Sequence, residues 1–166
     1  MMASALRLRL ILAAVLWCTV CGVGRADALA DALQVRSSGD YAAAAQQFRQ
    51  LAAAGNASAA FQLSLLYASG QGVKADARES VRWLKMAAVG GDAQAQINLG
   101  VAYAKGRGVP QDDGKAYVWF SKAAGSGDSV ALTNRDIAAR RLSTMQLNQA
   151  NELLVQCQGP HLDACL

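Results

Sequence analysis

Two stretches of this chain are one stretch written twice, 36 residues apart. Leu63, Tyr67, Gly70, Gly72, Val73, Asp76, Trp83, Ala87, Ala88 and Gly91 recur as Leu99, Tyr103, Gly106, Gly108, Val109, Asp112, Trp119, Ala123, Ala124 and Gly127. With Ala57/Ala93, Ala59/Ala95 and Ala68/Ala104, residues 56–91 and 92–127 share 13 identities in 36 aligned positions. A period of this length marks stacked supersecondary units, each too small to bury its apolar face alone. Stacked helical units make long binding surfaces, and chemistry is rare on them.

The amino-terminal segment reads differently from the repeats. Arg7 and Arg9 precede an apolar run from Leu10 to Gly24, broken only by Thr19, and small residues follow at Gly24, Ala26 and Ala28. A basic start, an apolar centre and a small-residue exit predict a secretory signal peptide over residues 1–26, cleaved after Ala26 or Ala28. The other reading is an uncleaved membrane anchor, but the 15-residue run falls short of the roughly 20 residues a spanning helix needs. Lipid attachment at Cys18 or Cys21 is disfavoured by the bulky Trp17 and Val20 before them. The expected location is periplasmic or secreted, with no stable membrane insertion after cleavage.

Cleavage also changes the charge. The full chain holds 16 Lys+Arg against 12 Asp+Glu, and Arg7, Arg9 and Arg25 leave with the signal, so the mature net charge is +1. A balance this even gives no basic stripe and argues against nucleic acid as partner. Cys157 and Cys165 remain after cleavage. An even number in an exported chain predicts a Cys157–Cys165 disulfide across the Gly159-Pro160 turn, worth about 2–3 kcal/mol by loop entropy. Two free thiols, or a metal pair with His161, are the alternatives; two thiols and one imidazole without a fourth ligand make a poor zinc set.

Helix signals recur along residues 27–166, and no segment alternates with period 2. Asp40, Asn56, Asp76, Asp92, Asp112, Asp128 and Ser143 each precede an apolar-periodic run and predict N-caps. Asp76 and Glu79 have capping-box spacing. Gly70 and Gly106 predict left-handed helix stops. The expectation is an all-α chain: a short α-solenoid of antiparallel helix pairs, about eight helices. Residues 27–55 form a degenerate amino-terminal capping pair, 56–91 and 92–127 the two repeats, and 128–166 the carboxy-terminal capping helices with a Cys-bounded tail. Trp83, Trp119, Tyr67 and Tyr103 repeat with the unit and are assigned to the core.

Ala95, Leu99, Gly100, Tyr103, Gly106, Gly108, Val109, Asp112, Ala116, Trp119, Lys122, Ala123, Ala124 and Gly127 together resemble the Sel1-like repeat pattern, a relative of the tetratricopeptide repeat. The earlier copy departs at Ser64, Ser80 and Met86, where that pattern has Gly, Ala and Lys. The resemblance covers residues 56–127, is weaker over 40–55, and extends over 128–156 to a helical tail that often closes such arrays. It implies an adaptor without catalytic residues. Exported bacterial members are linked to envelope signalling and host interaction. A cysteine-rich secreted subgroup staples its repeats with disulfides and is associated with β-lactam binding; here the single Cys pair lies beyond the repeats.

The residues themselves offer little chemistry. His161 is the only histidine, and no S-x-x-K, S-D-N or K-T-G occurs. Each G-x-G joins two helices with no strand before it, unlike a phosphate-cradling loop. Capping accounts for Asp76, Asp92, Asp112 and Asp128, leaving Asp113 and Glu152 far apart. No cofactor and no metal are expected. A hydrolase or β-lactam-binding enzyme is the weakest of the functional readings.

The surface is more informative. If Ala95, Leu99 and Tyr103 point inward, then Gln94, Asn98, Val101 and Lys105 share another face of the same helix. The 36-residue shift carries that face to Gln62 and Leu65 in one direction and to Val130, Asn134, Ile137 and Arg141 in the other. First helices of solenoid pairs line the concave side, so Gln62, Leu65, Asn98, Val101, Lys105, Asn134 and Arg141 predict a partner-binding row for a protein or peptide. The functional expectation is a non-catalytic scaffold of the bacterial envelope. A secreted effector or host-interaction protein is the alternative. Truncated solenoid ends also predict weak self-association.

Overall fold

The structure, a computed structural model, describes residues 27–157. The signal-peptide reading and the tail with His161 and Cys165 lie outside the described residues. Eight helices and no strand occur within them: α1 (27–37), α2 (Tyr41–Ala53), α3 (Ala57–Ser69), α4 (Ala77–Val89), α5 (Ala93–Lys105), α6 (Asp113–Ala124), α7 (Ser129–Arg141) and α8 (Thr144–Gln156).

The caps set these boundaries. The side chains of Asp40, Asn56, Asp76, Asp92, Asp112, Asp128 and Ser143 each accept a hydrogen bond from a first-turn amide of the helix that follows. The box expected at Asp76 forms only its first half. Glu79 turns instead to Arg82, 3.1 Å away, because the two lie on one helix face at i, i+3. A reciprocal box forms at Ser143 and Gln146, where the Ser143 amide donates to Gln146 Oε1 at 3.0 Å.

The sequence repeat becomes a hydrogen-bond repeat. The Asp76 amide donates to the Tyr67 carbonyl and the Asp112 amide to the Tyr103 carbonyl, each at 3.0 Å. Asn56 and Asp92 donate in the same way to the carbonyls of Leu51 and Ala87. Gly70 and Gly106 sit at φ +73° and +64° and end α3 and α5 as left-handed stops.

The second loop glycine has a stricter reason. A Cβ at Gly72 would lie 2.2 Å from the Tyr41 carbonyl carbon, and one at Gly108 would lie 2.2 Å from the Ala77 carbonyl oxygen. Tyr41 and Ala77 are themselves 36 residues apart and open α2 and α4. Each G-x-G-V loop therefore seats its second glycine on the helix start of the preceding unit, backbone against backbone.

The core follows from the small residues. Ala44, Ala59, Ala87, Ala88, Ala95, Ala116 and Ala123 are fully buried and let helices approach, while Phe48, Leu63, Leu99 and Trp119 fill the space between layers. Trp83 and Tyr103 are also buried, and Tyr67 is half-buried with its hydroxyl accepting from Arg49 at 2.8 Å. Two departures of the earlier repeat, Ser64 and Ser80, are accommodated together. A Cβ at Gly100 would lie 2.6 Å from the ring of Phe120. One repeat earlier Leu84 replaces the ring, and the equivalent position accepts Ser64, whose carbonyl takes a hydrogen bond from the buried Ser80 hydroxyl at 2.9 Å.

The carboxy-terminal pair is tied down by side chains of α6. The Tyr117 hydroxyl donates to Asn151 Oδ1 at 2.9 Å, and Lys122 Nζ donates to the Cys157 carbonyl at 2.7 Å, at the negative end of α8.

Candidate protein-docking face

The odd-numbered helices α1, α3, α5 and α7 lie side by side and enclose three hollows in a row. Arg36, Tyr41, Leu65 and Ser69 line the first, between α1 and α3. Leu65, Asn98, Val101 and Arg107 line the second, about 360 Å³, over a floor of Ser80, Val81 and Leu84 from α4. Val101, Lys105, Asn134, Ile137 and Arg141 line the third, over Phe120 of α6. Leu65 walls both the first and second hollows, and Val101 both the second and third. The hollows thus form one groove crossed by two apolar ridges.

The groove gathers six of the seven residues of the predicted row: Leu65, Asn98, Val101, Lys105, Asn134 and Arg141. Gln62 holds the equivalent register, but its Oε1 accepts from Arg36 Nη1, and it lines none of the three hollows. Arg141 makes a solvent-exposed ion pair with Asp113 at 3.5 Å. Val130 is 57% exposed and stands clear of the groove.

Two basic residues of the groove escape the sequence pattern. Arg36 belongs to the unit without a G-x-G-V loop, where the 36-residue register has lapsed. Arg107 is a variable loop residue, the counterpart of Gln71. Arg36, Lys105, Arg107 and Arg141 line the hollows, and no acid does.

The packing between the two helix layers carries the perturbed titrations. Lys85 of α4 and Lys115 of α6 approach the Tyr103 ring at 5.9 and 5.4 Å from its centroid. Burial, and secondarily the Asp112 carboxylate, pushes the Tyr103 phenol above its ordinary value. Burial, then repulsion from Lys115, pulls the Lys85 ammonium below its own. Burial lowers Lys122 likewise. These groups sit in packing contacts between repeats, apart from the groove.

Among the described residues no group of three or more His, Cys, Asp or Glu side chains could hold a metal ion. No described helix is long and apolar enough to cross a membrane.

Antiparallel helix pairs stacked in a 36-residue register, with a groove along the first helices, define an α-solenoid of the tetratricopeptide-like kind. The two central units are Sel1 repeats, matched by that family's model over residues 57–92 and 93–128. A crystal structure of a protective antigen present in uropathogenic Escherichia coli strains, with an SLR fold, is 31% identical and superposes with a TM-score of 0.75. That likeness covers 85% of this chain and 31% of the antigen. A Sel1 repeat protein from Oxalobacter formigenes is 29% identical with a TM-score of 0.63, over 81% of this chain and 59% of that one. This chain thus spans under a third of the first relative and over half of the second. No curated protein sequence matches it. Sel1-repeat proteins generally mediate protein–protein interactions and are typically non-catalytic scaffolds.

Proposed function

We propose that this chain is a non-catalytic scaffold of the bacterial envelope that docks a protein or peptide in the groove of α1, α3, α5 and α7. The observation that carries the reading is the continuity of the three hollows through Leu65 and Val101. Shared apolar ridges between polar rims suit a binding surface, where a few central anchors hold most of the energy. Export rests on the Arg7, Arg9 and Leu10–Gly24 pattern. In that compartment a Cys157–Cys165 disulfide would close the tail beyond α8, where Cys157 is buried. Alkylation of unreduced protein reads this out: two reactive thiols would refute the bond.

A second reading, a secreted host-interaction protein, is favoured by the likeness to a protective antigen of a pathogen. The crosslinking experiment that tests the first also separates the two. Protein captured in intact envelopes should lose its partner by about 1–3 kcal/mol when Asn98 and Arg141 are both changed to Ala. Far-UV helicity should stay unchanged, since Arg141 gives up only an exposed ion pair. Capture that survives this pair but fails on changing Arg82 or Lys85 places the site on the other layer. Release of the chain into the medium, with no envelope partner, supports the second reading.

A further inference from the structure

We infer that the second hollow is a small-molecule site for a free medium-chain carboxylate, an aliphatic acid whose tail lies on the α4 floor and whose head group meets Arg107. The site is separate from any docked protein and stands or falls without one.

The cation singles out this hollow. Three guanidinium groups line the groove. Arg36 donates to Gln62 Oε1, and Arg141 pairs with Asp113. The Arg107 side chain has no hydrogen-bond or ion-pair partner among the described residues. Its planar fork suits the two oxygens of a carboxylate. It also belongs to this hollow alone, since Gln71 stands one repeat earlier and Ser143 one later.

The floor supplies the apolar half. Ala77, Ser80, Val81 and Leu84 fall at i, i+3, i+4 and i+7 of α4 and make one stripe, walled by Leu65 and Val101. Arg107 stands at the Ala77 end, because a Cβ on its neighbour Gly108 would touch the Ala77 carbonyl. The stripe offers no hydroxyl donor. The Ser80 hydroxyl donates to the Ser64 carbonyl at 2.9 Å, and the Ser64 hydroxyl to the Phe61 carbonyl at 2.6 Å. One repeat later the ring of Phe120 stands where Leu84 does, and the guanidinium there is already paired.

Size sets the length of the tail. Ala77 and Leu84 are seven residues apart, about 10 Å of helix rise. An extended chain covers about 3.6 Å in three bonds, so roughly eight bonds span the stripe. A volume of about 360 Å³ is at the small end for ligand pockets. At about 30 Å³ per water-sized group it holds roughly a dozen such groups, one short chain with its head and not a two-chain lipid.

The test titrates octanoate, 1-octanol, octylammonium and butanoate into the isotope-labelled processed chain, residues 27–166, and follows its amide resonances. Octanoate should saturate, with the largest shifts at Val81, Val101 and Arg107. It should bind roughly tenfold more tightly than 1-octanol, the worth of a charge-assisted hydrogen bond, and octylammonium and butanoate should be weaker still. Arg107→Gln should bring octanoate down to the level of 1-octanol and leave 1-octanol unchanged. Val101→Trp, which fills the hollow, should abolish both. Octanoate and octylammonium binding alike, indifferent to Arg107→Gln, would reduce the site to apolar adsorption and overturn the inference. Shifts centred on Ile137 and Arg141 would place the ligand in the third hollow and overturn it too. So would the absence of any saturable shift in a chain that circular dichroism shows to be folded. Envelope capture of a partner is unaffected by each of these outcomes, so the docking reading is judged separately.

Discussion

Replacing Gly108 with Ala tests whether the repeats are joined backbone to backbone. Gly108 has φ +74°, and its new methyl would lie 2.2 Å from the Ala77 carbonyl oxygen and 2.6 Å from its carbon. The left-handed conformation costs an alanine about 1–2 kcal/mol. The overlap adds roughly 1–3 kcal/mol, because both sides are backbone and neither can rotate away. Stiffening the unfolded chain returns about 0.4–1 kcal/mol. The net expectation is a loss of about 2–4 kcal/mol. Gly106→Ala is the internal control. Its φ is +64°, but its nearest obstacle is Gln111 Cβ at 3.4 Å, an ordinary contact. It should lose only about 1 kcal/mol, the conformational part. Urea unfolding followed by far-UV circular dichroism measures both. Because repeat stability combines intrinsic and neighbour terms, Gly108→Ala should also broaden the transition as α4 decouples from the units that follow. Equal midpoint shifts for the two variants would refute the seating of one repeat's loop on its predecessor.

Two further outcomes are expected. Gly100→Ser alone should destabilise, since its Cβ would lie 2.6 Å from the Phe120 ring, and Phe120→Leu should relieve it by recreating the Ser64/Leu84 pair. A double-mutant cycle should give roughly 1–3 kcal/mol of favourable coupling, and additive effects would sink the idea. Tyr103 should ionise above 10.0, its ordinary value, because burial and then Asp112 disfavour the phenolate. A group raised in the folded state contributes stability that is present below pH 10.0 and is lost as pH rises through its folded value. The difference in tyrosinate absorbance between wild type and Tyr103→Phe measures this, and a midpoint at or below 10.0 would contradict it.

Much of the fold was legible because its punctuation is local. Asn56, Asp76, Asp92, Asp112, Asp128 and Ser143 each cap the helix they were expected to start, since an N-cap bond spans only two or three residues. The groove row was legible because one helix period and one repeat period place Leu65, Asn98, Val101 and Asn134 together. What escaped depends on contacts between units. Nothing near Gly72 in sequence reveals that Tyr41 lies against it. Arg36 enters the groove from a unit whose register has lapsed, and its hydrogen bond draws Gln62 away from the hollows. The Asp76–Glu79 box failed because the Asp76 amide already donates to the Tyr67 carbonyl across the loop, which leaves Glu79 to pair with Arg82.

The junctions between units are of two physical kinds. The starts of α2 and α4 are covered by glycine backbone, a contact that carries no charge. The start of α6 has no such cover, since Ser143-Thr144 stand where a loop glycine would fall, and Arg141 reaches Asp113 there instead. Salt screens an exposed ion pair and leaves a van der Waals contact almost untouched. Rising salt therefore weakens this junction's ion pair, worth under about 1 kcal/mol, and leaves the two glycine junctions as they are, while packing and the Tyr117 and Lys122 hydrogen bonds keep α7 and α8 in place. Arg141, which also lines the third hollow, then loses Asp113 as its restraint.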